Sequence, residues 1–187
     1  DIYYRVIADC ACKNNQVYDE WIVRDQGAMV RQIGFTPKDF AEMLIDKEGG
    51  VEKAKKLFNS NSEMNSDYKQ GVVPDGSAGG KYSKILTKIF KDNYDFSDYS
   101  RAATIYWPGN KIGHGREDVK KFWNSLLKTF TDIQFSIEHI VYLEEKNKNP
   151  RASVRWFFNG KHTNDSEEFG NPTNGDIFIS NAAKISE

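Results

Sequence analysis

The chain has 187 residues, 39% of them hydrophobic and 28% charged, with a formal net charge of -1. That length suits one sizeable core, and the nearly balanced charge gives no basic field for a nucleic acid. No apolar run nears the roughly 20 residues of a membrane span, and no charged-then-apolar leader opens the sequence, so a soluble, cytoplasmic protein is expected.

Taken in order, Tyr3 to Cys12 and Val17 to Arg24 read as two strands around "KNNQ". Asn14 and Asn15 can take the positive φ values of a tight hairpin turn. One carboxylate, Asp9, interrupts the apolar run of the first strand. Cys10 and Cys12 share one face of that strand, where an ordinary disulfide between them is excluded, and they read as reduced, half-buried residues. "TPKDFAEML" carries a helix start, with Thr36 as N-cap, Pro37 at the first helical position and Asp39 three residues after the cap. Val51, Ala54, Leu57 and Phe58 mark a second short helix by their three-and-four spacing.

Residues 59 to 81 are rich in Asn, Ser, Gly and Asp without sustained period, the composition of a flexible linker. Tyr82, Ile85, Leu86, Ile89 and Phe90 then recur at helical spacing, and "SRAATIYWPG" supplies a short strand ended by Pro108 and Gly109. Val119, Phe122, Trp123, Leu126, Leu127 and Phe130 form an apolar helical stripe with lysines opposite. From Ile133 the period becomes two, which places Ile133, Phe135, Ile137, His139, Val141 and Leu143 on one face of a long strand. "ASVRWFFNGKHT" and "GDIFISNAAKIS" read as two further strands. The sum is α+β, with helices segregated onto one side of a mainly antiparallel, strongly curved sheet.

The three histidines, His114, His139 and His162, are scattered singly, so no metal site is expected. His139 reads as a hydrogen-bonded core residue and His114 as a loop residue before a helix. Trp123 belongs to the helix stripe, whereas Trp156 and Phe158 on a central strand could be core or pocket wall. Phosphate-loop and nucleophile-elbow signatures are absent from the sequence.

"GHGREDVKKFWNSLLKTFTDIQFSIEHIV", "ASVRWFFNGKHTND" and "FGNPTNG" together resemble the SnoaL-like polyketide cyclases of the nuclear-transport-factor-2-like superfamily over roughly residues 82 to 180. The resemblance implies a cone-shaped, curved antiparallel sheet wrapped around helices, with an apolar pocket open at one end. "IADCACKNNQVYDEWIVRDQGAMVRQIGFTPKDFA" is similar to the family's late strands, here placed at the N-terminus, while the trailing strand stops about one strand short of the expected end. The chain is then either a piece of a tandem protein or a rearranged single domain spanning 1–187. In the second case residues 1–34 form a hairpin completing the sheet, 35–58 helices, 59–81 a linker and 82–187 the body. An open apolar edge invites aggregation, so the hairpin is expected to close the sheet of its own chain or of a partner. A homodimer, with exchange of strands through the linker, is expected from the resemblance.

The resemblance also implies a His and an Asp facing each other in the pocket, and these fall on His162 and Asp9. A carboxyl in an apolar pocket is pushed toward neutrality and becomes a useful proton carrier, beside an imidazole that holds a substrate oxygen. The competing reading leaves His162 solvated or structural and makes Asp9 an edge residue paired with Arg5 or Arg24. Trp21, Glu20 and Arg24, turned toward the open end of a conical sheet, and Tyr94, Tyr106, Trp107, Trp156 and Phe158 are the candidate pocket residues. Two functions follow: an acid-base cyclase or isomerase acting on a small apolar carbonyl compound without a cofactor, or a non-catalytic ligand-binding or dimer-assembly module.

Overall fold

The computed structural model describes residues 1–54, 70–91, 94–167, 169–172 and 176–186, the last stretch as backbone. The N-terminal hairpin pairs β1 (Val6–Lys13) with β2 (Gln16–Arg24) in antiparallel register. Asn14 and Asn15 turn it at φ 52° and 59°, the left-handed values that their side chains tolerate. A short helix α1 (Gln26–Gln32) follows at once, capped by Asp25, and the expected helix is α2 (Pro37–Lys47). There the Thr36 hydroxyl accepts the Asp39 N–H at 3.1 Å, which satisfies one of the free donors of the first turn. Val51–Ala54 form α3, while Leu57, Phe58 and the linker residues 59–69 lie outside the described residues.

Residues 78–81, expected in the linker, are the first turn of α4 (Ala78–Lys91). Ser77 is buried and its hydroxyl accepts the Gly80 N–H at 3.1 Å, the geometry of an N-cap. The neighbouring glycines serve close packing. A Cβ on Gly79 would stand 2.7 Å from Ile140 Cγ2, and one on Gly80 would meet the Pro74 carbonyl oxygen. A hairpin of β3 (Thr104–Trp107) and β4 (Lys111–His114) leads into α5 (Gly115–Thr129), so His114 ends a strand. At the start of α5, Asp118 Oδ2 accepts the His114 N–H at 2.7 Å. Arg116 donates to the carbonyls of Ser97 and Tyr99 and so ties down the preceding loop.

The largest sheet has the order β5 (Phe130–Leu143), β6 (Arg151–His162), β7 (Asp176–Ser186), all antiparallel. Leu86 and Ile89 of α4, Val119, Phe122, Trp123 and Leu126 of α5, and Val154, Trp156 and Phe158 of β6 belong to one buried cluster. Side chains alternate across a strand, so this face of β6 holds its even-numbered residues and the other face holds Ser153, Arg155 and Phe157. The architecture is therefore α+β, with three antiparallel sheets among the described residues. The hairpin's ladder runs between β1 and β2 alone, and among the described residues no strand pairing joins it to β5–β6–β7. The hairpin reaches the body through side chains instead of through the strand pairing expected from sequence.

The expected single face of β5 also needs correction. The register shifts between Ile137 and His139: Ile137 opposes Trp156 and His139 opposes Arg155, with Glu138 as the extra residue. A bulge of this kind reverses the alternation. Phe135 and Ile137 face the helices, Ile140 and Tyr142 take over that row, and His139, Val141 and Leu143 turn to the opposite face.

Because Gly79 lies against Ile140 and Tyr142, Gly79→Ala should lower unfolding stability by about 1–3 kcal/mol through overpacking. Urea denaturation measures this; a linker glycine at the same position would show no loss.

Candidate functional site

Asp9, Glu138, His139 and Arg155 converge on the face of the sheet opposite the helices. In β1, Asp9 shares its face with Ile7 and Ala11 and stands opposite Trp21. From β5 the bulge delivers His139, and from β6 regular alternation delivers Arg155 directly opposite it. Asp9 Oδ2 lies 2.9 Å from His139 Nδ1 and 3.0 Å from Arg155 Nη1. Arg155 Nε is 3.2 Å from Glu138 Oε2, the side chain of the bulge residue itself. Trp21 covers the guanidinium, with Arg155 Cζ 5.1 Å from its ring centroid, a cation–π contact. The Arg155, His139 and Asp9 side chains are only 7%, 11% and 12% exposed.

This setting differs from the apolar pocket expected around Asp9. One of its oxygens is held by a guanidinium and an imidazole, which are the partners a carboxylate needs when it leaves water. Two anionic side chains flank one arginine, with an imidazole beside them. Such an arrangement fastens one element to another. It leaves Asp9 engaged by the protein's own donors, where proton transfer requires a carboxyl facing a substrate.

His162 lies elsewhere. It ends β6 on the helix-facing side, 3% exposed, with its ring 5.2 Å from that of Phe130. Its Nε2 has no hydrogen-bond partner among the described residues. Seven residues separate it from Arg155 along the strand, roughly 23 Å at the usual rise, and the two side chains point to opposite faces. The structure therefore does not bring Asp9 and His162 together.

The remaining candidates also part company. Glu20 and Arg24 are exposed on the hairpin face turned away from Asp9. Tyr106 is exposed beneath the Arg5 guanidinium, 4.1 Å from its ring. Tyr94 is half-buried against Phe96 and donates to Asp98 at 2.9 Å; burial, then the bond to and charge of Asp98, push its hydroxyl well above the usual range. Trp107 stacks on Phe122 with centroids 5.5 Å apart. Trp156 and Phe158 are core, stacked at 6.0 Å, and Phe90 from α4 stacks on Phe135 at 4.1 Å while also touching both. A shallow hollow of about 180 Å³ lies at the other end of β5 and β6, lined by Val141, Tyr142, Leu143, Arg151, Ala152 and Ser153, and contains none of the candidates.

Arg155 is not among the residues expected from the sequence to form the site, and its signal is a charge within the apolar run "SVRWFF" of a central strand. His139 was expected in the core row; its turn to the other face follows from the bulge. Among the described residues no helix is long and apolar enough to cross a membrane. No family model matches the chain, and no curated protein or solved structure matches it.

Removing one member of a buried ion pair leaves the other uncompensated. Asp9→Asn should therefore lower unfolding stability by about 1–3 kcal/mol, whereas Glu20→Gln on the opposite hairpin face should stay within about 0.5 kcal/mol. Chemical denaturation of both variants measures the contrast, and equal effects would remove Asp9 from the fastening role.

Proposed function

We propose that the chain is a non-catalytic assembly module that pairs with a second copy of itself, on a scaffold of the SnoaL-like, nuclear-transport-factor-2-like type. The observation that carries this reading is the aromatic filling of the space between the sheet and the helices. Phe90, Trp123, Phe135, Trp156 and Phe158 touch one another where an enzyme of this type needs a cavity. Apolar surface is instead left on the outside. In α2, Met43 and Leu44 are exposed and Phe40 lies one turn before them on the same side, with exposed Ile33 and Phe35 preceding the helix. Apolar residues at such spacing gain by burial against a partner.

The wild-type protein should sediment as a dimer that dissociates on dilution, and Met43→Glu with Leu44→Glu should shift it to monomer with unchanged circular dichroism. A wild type that stays monomeric at every accessible concentration overturns the assembly reading. A second reading, small-molecule binding, draws support from His162, whose buried Nε2 has no hydrogen-bond partner among the described residues. An apolar carbonyl compound that binds the wild type and fails to bind His162→Ala would favour that reading over assembly.

A further inference from the structure

The strand that turns Asp9 toward the body turns both cysteines away from it. The register shift in the N-terminal hairpin places its extra residue, Tyr18, on β2, so β1 alternates regularly. Cys10 and Cys12 therefore share the outward face with Val6 and Ala8. Both thiols are free and exposed, which corrects the half-buried placement expected from sequence.

Residues two apart on an antiparallel strand have Cα atoms roughly 7 Å apart. That is at the far limit of what a relaxed disulfide spans. Side chains leaning together can nevertheless bring two sulfurs to the roughly 4.6 Å that a metal ion with two in-line bonds of about 2.3 Å requires. One carboxylate lies beside the thiols. Glu20 stands opposite Cys10 and its Oε1 accepts from the thiol at 3.5 Å. Among the described residues no group of three or more His, Cys, Asp or Glu is arranged to hold a metal, so the donor set on this face is the two sulfurs.

We propose that Cys10 and Cys12 form a two-thiolate site for a soft monovalent cation of the Cu(I) class on the outward face of the N-terminal hairpin. Thiolate sulfur selects such ions, and a filled d shell accepts two sulfurs in line. On binding, each thiol gives its proton to water and two metal–sulfur bonds form, with no change in oxidation state. Because a cation must displace both thiol protons, apparent affinity rises with pH. The site is independent of the assembly reading, since it lies on the hairpin and needs no second copy.

The test titrates the fully reduced chain with Cu(I) under anaerobic conditions against a chromophoric chelator, with native mass spectrometry for stoichiometry. One ion per chain is expected, held more tightly as pH rises. Cys10→Ser and Cys12→Ser should each lose roughly 100-fold or more in affinity, because the second sulfur no longer acts intramolecularly. Cys10→Ala repeats the measurement without a replacement hydroxyl, and circular dichroism checks that each variant keeps its fold. A single-cysteine variant that binds as tightly as the wild type, a wild type no tighter than a one-thiol peptide, or a preference for Zn(II) would overturn the proposal.

Discussion

A buried arginine on the central strand sets the arrangement of the described fold. Arg155 lies on the sheet face away from the helices, and a guanidinium removed from water requires compensating charge and hydrogen bonds. Glu138 supplies part of that from the neighbouring strand, and Asp9 supplies more from the hairpin. The hairpin is thus held across this face by one of its own carboxylates, with Trp21 laid over the cation. Its other end is fixed in a similar way. Asp25 accepts the N–H groups of Gly109 and Asn110 at 2.9 Å each, as well as that of Ala28 at 3.0 Å. Arg5 adds a bond to Asn110 Oδ1 at 3.0 Å. Two aspartates therefore do by side-chain bonding what continuous strand pairing would otherwise do.

The bulge at Glu138 makes this possible. Without the extra residue, His139 would follow Ile137 into the aromatic layer and the row opposite Arg155 would lose its imidazole. With it, one face of β5–β6 is aromatic and the other ionic, and each meets a different layer. A bulge costs one unpaired residue in the ladder. Here the freed residue is itself a carboxylate, turned to the same arginine.

Legibility in the sequence followed the range of the interactions. The Asn14–Asn15 turn, the Thr36–Pro37 helix start and the stripe of α5 were readable because neighbours in sequence determine them. The bulge was not. "SIEHIVYL" alternates without a glycine or proline to mark the break, and the shift is fixed by pairing with β6. "SAGG" has the composition of a linker, and only the approach of Ile140 and Tyr142 makes its glycines packing residues. Asp9 stood out as a charge in an apolar strand, yet its partners lie more than 100 residues away and could not be named from the chain. The pairing of Asp9 with His162 was drawn from the resemblance. The observed faces separate them, because β6 keeps strict alternation from Arg155 to His162.

The same sheet face cannot serve both as a close-packed core and as a substrate pocket. Interiors pack near crystalline density, and Phe90 stacked on Phe135 at 4.1 Å leaves no room between α4 and β5 for another ring. Admitting a ligand there would require displacing an aromatic side chain and losing its contacts, each small but many together. Apolar side chains still exposed to water include Met43 and Leu44 of α2, with Ile33 and Phe35 before it. Additional burial is to be gained at that surface, which is why the weight of the functional reading moves from the inside of the fold to its outside.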